Sequence, residues 1–146
     1  MQITLSQDQY EKLLHLVFLG NWLVNSYRGN ERLEAYDKLA EDIMTFAPAA
    51  GLKDRVEFDE FEGRYYPSRK LDEEMRKYWE EYDEDVFWNM LIDGLAERDY
   101  KRQHGEEDLE GMDWDEYDKK LEPFLKKYEK EINEHGLDRL EVRLVS

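Results

Sequence analysis

The sequence predicts a predominantly α-helical α+β fold. A helical bundle surrounds a central N-terminal helix, and a small antiparallel β-sheet comes from about residues 56–66 and 139–145, with residues 2–5 as a candidate further strand. Three observations predict this. Leu13–Val24, reading LLHLVFLGNWLV, is apolar on every side of a helix, and such a helix must be covered all round. Apolar residues then recur on one helical face in the segments that begin near residues 31, 69 and 114, and Val86, Phe87, Trp88, Met90, Leu91 and Ile92 make a second densely apolar run in the segment from 84. Two short segments instead alternate polar and apolar residues, the signature of strands.

The elements follow in order. Residues 2–5, QITL, alternate. Ser6 stands at the N-cap of a helix expected from Gln7 to Tyr27. Gly29 and Asn30 make a turn, and Asn30 caps a second helix from Glu31 to Ala47 with Leu33, Tyr36, Ala40, Ile43 and Ala47 on one face. So short a connection makes these two helices antiparallel neighbours. Pro48 ends the second helix by forcing the residue before it out of helical geometry. Val56, Phe58 and the Tyr65–Tyr66 pair form two strands around a turn at Gly63, closed by Pro67.

Ser68 caps a third helix to about Tyr82, and Asp83 caps a fourth to His104, stopped by Gly105. Asp113-Trp-Asp-Glu116 resembles a capping box for a last helix. Pro123 lies inside that helix and is expected to kink or divide it, because its ring meets the carbonyl of Lys119. Gly136 ends it, and Leu140, Val142 and Leu144 then alternate with charged residues as a strand.

Length and composition bound the functions on offer. A chain of 146 residues fits one domain, residues 1–146, with enough interior for a core without staples. Charged residues make up 40% and aromatics 14%, which describes a wetted surface around an aromatic core and not a disordered chain. There is no cysteine, so disulfides, thiolate metal sites and cysteine nucleophiles are excluded. The first residues lack the basic start of a signal peptide, and Leu13–Val24 is shorter than the roughly 20 residues that span a bilayer. A soluble, cytoplasmic protein without membrane contact is expected.

The net charge of −16 argues against direct binding of nucleic acid or anionic lipid. Residues 57–118 alone carry 23 Asp or Glu against 8 Lys or Arg, a net of −15.

The chemistry-bearing residues are sparse in recognisable arrangement. Four scattered serines form no nucleophile elbow, and eight single glycines form no phosphate loop. No catalytic residue and no cofactor is assigned. Glu11 with His15, and Glu131 with His135, stand at i,i+4 and are candidate metal pairs. A di-metal carboxylate bundle needs Glu-x-x-His, so the spacing argues against a metal. Asp93 and Glu97 share a helical face near Gly94 and are a candidate acid pair. The stripe Leu71, Met75, Tyr78, Trp79 and Tyr82, flanked by acids, has the aromatic anchors and charged rim of an interaction surface.

Three functional expectations result. The first is a protein–protein interaction or self-associating module, with a protein partner or a homo-oligomer. The second is an acidic mimic of nucleic acid that occupies a basic DNA- or RNA-binding protein. The third is a carboxylate-based metal protein or enzyme, the balance leaning away from an enzyme.

Overall fold

The computed structural model describes residues 2–105, 109 and 111–141. It is a predominantly α-helical α+β fold, with four α-helices and one two-stranded antiparallel sheet among the described residues. The elements are α1 (Gln7–Asn25), α2 (Glu34–Met44), a 3-10 turn (Lys53–Arg55), β1 (Val56–Asp59), β2 (Arg64–Pro67), α3 (Arg69–His104) and α4 (Trp114–His135). The chain divides into two compact units, Met1–Glu81 and Tyr82–Ser146.

In the first unit, α1 begins in a complete capping box. Ser6 Oγ accepts the Gln9 amide at 3.2 Å, and Gln9 Oε1 accepts the Ser6 amide at 2.9 Å. Helix α2 starts at Glu34 with Leu33 at its N-cap, and not at Glu31 after Asn30. The reason is Asn25, whose Oδ1 accepts the Leu33 amide at 2.8 Å and whose Nδ2 donates to the Leu33 carbonyl at 3.3 Å. That buried side chain holds residue 33 beside the end of α1, so the helix begins only after it. The hairpin has the expected form, with Val56 opposite Pro67 and Phe58 opposite Tyr65. Asp59 closes its turn by accepting the amides of Phe61 and Glu62. Gly63 at φ 67° takes the left-handed position.

The core of this unit joins Tyr10, Leu14 and Phe18 of α1 to Ala40 and Met44 of α2 and to Leu71 and Met75 of α3. Val56 and Leu52 close one end. All the α1 residues in this core lie on one side of the helix. Leu16 and Leu23, on the other side, are 67% and 59% exposed. The expectation that α1 is central and covered all round is therefore corrected: its neighbours cover one face and leave the other open.

Helix α3 runs unbroken from Arg69 to His104, so the expected break at Asp83 does not occur. An N-cap needs extended backbone, and nothing between Tyr82 and Glu84 forces it: there is no proline, no glycine, and every residue tolerates a helix. Ser68 caps its start as expected, accepting the Leu71 amide at 3.2 Å.

In the second unit, Ala96 and Tyr100 of α3 are buried, as are Leu121, Tyr128 and Ile132 of α4. Tyr100 meets Phe124 edge to face at 5.6 Å. Asp113 caps α4 by accepting the Glu116 amide at 2.9 Å. Pro123 does not divide the helix, which continues to His135 and ends at Gly136 with φ 57°.

The sheet is smaller than expected. Residues 2–5 form no strand, and Ile3 is exposed. Alternation alone makes a strand only where a neighbouring edge accepts its amides. Of the strand expected at 139–145, Arg139 lies in a turn, Leu140 donates its amide back to Leu137 at 2.9 Å, and Glu141 is in no strand. Residues 142–145 lie outside the described residues. Among the described residues no helix is long and apolar enough to cross a membrane.

Candidate interaction surface

The stripe singled out on α3 runs out of the core of the first unit. Leu71 and Met75 are fully buried, which removes both from any surface. Trp79 is half-buried, stacked on Trp22 at 4.8 Å and facing Phe18 at 6.0 Å. The Arg76 guanidinium covers the Trp79 ring at 5.6 Å. Tyr78 and Tyr82 are exposed. Of the five residues, then, two belong to the interior, one is an aromatic bridge to α1, and two face solvent.

A larger apolar surface lies where α1 and α2 meet. Leu13, Ile43 and Phe46 line a groove of about 1000 Å³ together with Tyr10, Ile3 and Leu5. The Tyr10 hydroxyl donates to the Ile43 carbonyl at 2.5 Å and ties the two helices at this end. Burial raises its pKa. Phe46 is 60% exposed. Along α1, Leu13 continues one turn later into exposed Leu16 and then Leu23; along α2, Ile43 continues one turn earlier into exposed Leu39. Sequence reasoning marked α1 as apolar on every side and assigned the cover to its own helices. The same signal, read without that assumption, points to this face.

Glu11 and His15 fall in a polar cluster with Arg55 and Glu74, in which His15 is buried and the other three are half-buried. Arg55 stands between two carboxylates, 2.5 Å from Glu11 Oε1 and bonded also to Glu74. Its guanidinium fills the place a cation would take. His15 is buried beside it, and His15 Nε2 and Arg55 Nε make no hydrogen bond among the described residues. Burial lowers the His15 pKa, aided by Lys12, while Glu74 and Glu11 oppose it. Burial alone would raise the Glu74 pKa, but its bond to Arg55 outweighs this and the net shift is downward.

The other candidates are engaged with other residues. Glu131 pairs with Arg139 at 3.4 Å, and His135 lies 3.7 Å from Glu134. Among the described residues no three side chains are grouped to hold a metal ion. Asp93 is exposed, and Glu97 is engaged with Lys101 at 2.5 Å. Both carboxylates act on Tyr117, whose hydroxyl pKa is raised by burial first and by their charges second.

A polar network that sequence reasoning missed joins α1 to α2. Asn21 donates to Asp37 at 3.0 Å and accepts from Asn25 at 2.9 Å, and Arg32 grips Asp37 with two nitrogens. The carboxyl of Asp37 is held below its usual range, chiefly by Arg32. These groups line a pocket of about 250 Å³. Their polar atoms are spent on one another, which suits a joint between helices better than a binding site. Two asparagines four apart on an otherwise apolar helix were the available signal.

No family, curated protein or solved structure compared with the chain matches it.

Proposed function

We propose that this chain is a protein–protein interaction module of the cytoplasm, acting without a cofactor. One observation carries the reading: Leu16 and Leu23 of α1, Leu39 of α2 and Phe46 just after α2 are all more than half exposed, beside the apolar groove at Leu13 and Ile43. Large apolar side chains exposed together in so hydrophilic a chain mark a contact surface. Tyr78 and Tyr82 add exposed aromatic anchors of the kind found at binding hot spots. The absence of cysteine agrees with a reducing compartment.

The test is capture of partners from an extract of the source cell, supplemented with untagged copies of the chain, on tagged wild-type protein and on the Leu16→Asp/Leu39→Asp variant. A stoichiometric partner held through high salt by the wild type and lost by the variant is the expected result, because apolar contacts are not screened. Equal capture by both proteins, or none by either, overturns the reading.

A further inference from the structure

The outer face of α1 and the end of α2 is distinguished by what it lacks. Between Glu11 and Glu31 there is no Asp or Glu, and there is none between Asp42 and Asp54. These are the two longest acid-free stretches in a chain of net charge −16. They supply Leu13, Leu16 and Leu23 on one side of the face and Ile43 and Phe46 on the other. Negative charge is thus kept off the outer side of α1 after Glu11, while on α2 an exposed Asp42 stands between Leu39 and Phe46. A basic partner would gain nothing from such clearance, since acids are what would attract it. Two copies of one acidic chain repel wherever carboxylate meets carboxylate, and they need one surface free of it.

Helix α1 is also complementary to itself. Leu16 and Leu23 stand two turns apart on one side, and Gly20 lies between them. A Cβ at Gly20 would meet nothing within 4 Å, so the position is an open notch in an apolar ridge. An antiparallel two-fold axis beside Gly20 brings Leu16 of one copy onto Leu23 of the other, and the reverse, with the backbones closest at the two notches.

Resting on the reading of this face as an interaction surface, we infer that its occupant is a second copy of the chain. The two α1 helices pack antiparallel about Gly20, and Leu39 and Phe46 flank the contact. The dimer is isologous, and salt strengthens it by screening the repulsion between the acidic remainders.

Sedimentation velocity of the full chain from low to high micromolar concentration tests this, with the Leu16→Asp/Leu23→Asp variant alongside. Both side chains are exposed, so the variant keeps its fold, which far-UV circular dichroism verifies. The wild type is expected to dimerise, more tightly at higher salt, and the variant to dissociate with a constant raised roughly a hundredfold. A wild type that stays monomeric throughout overturns the second copy as occupant. Salt-stable capture of another protein, lost on Leu16→Asp/Leu39→Asp, would then still uphold the face as an interaction surface. A dimer that the variant forms equally well overturns the inference, since the contact then lies elsewhere, and the capture experiment alone decides whether the face binds another protein.

Discussion

Trp22 of α1 lies flat against Trp79 of α3, with ring centroids 4.8 Å apart and planes 9° from parallel. The contact closes the solvent end of the first unit's core, beside Phe18. Neither tryptophan is fully buried, so each contributes through the other as much as through the interior. Replacing Trp79 with Ala is expected to cost about 3 kcal/mol in urea unfolding, and Trp22→Ala about as much. The double variant should cost less than the sum, by about 1 kcal/mol of ring–ring coupling. Strictly additive losses would show that the two rings do not stabilise one another.

Arg55 links three elements through Glu11 and Glu74. Arg55→Met leaves two neighbouring carboxylates without their cation. The expected loss is about 2 to 3 kcal/mol, less than for a fully buried pair because both acids keep some exposure. Adding Glu11→Gln and Glu74→Gln to that variant should recover most of the loss, read by the same denaturation. A triple variant no better than Arg55→Met would mean that packing of the arginine stem, and not its charge, holds the joint.

His15 gives the same region a pH dependence. Its folded pKa is below the ordinary histidine value, because burial disfavours the imidazolium. Below about pH 6.5 the unfolded chain takes up a proton there that the folded chain refuses. Stability therefore falls as pH drops through that value toward the folded pKa, and is regained on returning to neutral pH. Glu74, whose folded pKa is also depressed, adds a loss in the same direction within the carboxylate range. The His15→Leu variant should flatten the upper part of the profile and leave the lower part. An unchanged slope near pH 6 in that variant would assign the dependence to another group.

In the second unit Asp99 holds α3 to α4. It accepts from the Tyr128 hydroxyl, from Lys127 at 3.0 Å and from Arg98 at 2.9 Å, and its carboxyl is held far below the usual range, mainly by Tyr128. Asp99→Asn is expected to destabilise this unit by about 2 kcal/mol, and Tyr128→Phe by about 1 kcal/mol. Loss of hydrogen-exchange protection in α4 reads both. Equal effects from the two variants would mean that the lysine and arginine contribute nothing.

What the sequence made legible was local. The caps at Ser6, Ser68 and Asp113 and the Gly63 turn each need only their immediate neighbours, and each appears where expected. Distant partners were hidden. Nothing near Arg55 in the chain names Glu11 or Glu74, and nothing near Asn25 names the Leu33 amide that delays α2. Asp83 was misread because an aspartate before an apolar run resembles a cap equally well inside a longer helix. The α3 stripe divided because helical spacing fixes a face but not how far along it the core extends. For the same reason Leu16 and Leu23 were counted as interior when one side of α1 stands open.

The accessibility of that open side is the most direct test, and the absence of native cysteine makes it clean. The rate of maleimide labelling is measured for Leu23→Cys, at low and at high protein concentration, with Glu60→Cys on the exposed hairpin turn as the reference. Association through the outer face of α1 predicts that Leu23→Cys reacts as fast as Glu60→Cys when dilute and becomes protected as concentration rises, while Glu60→Cys does not change. Equal labelling of the two positions at every concentration would contradict it.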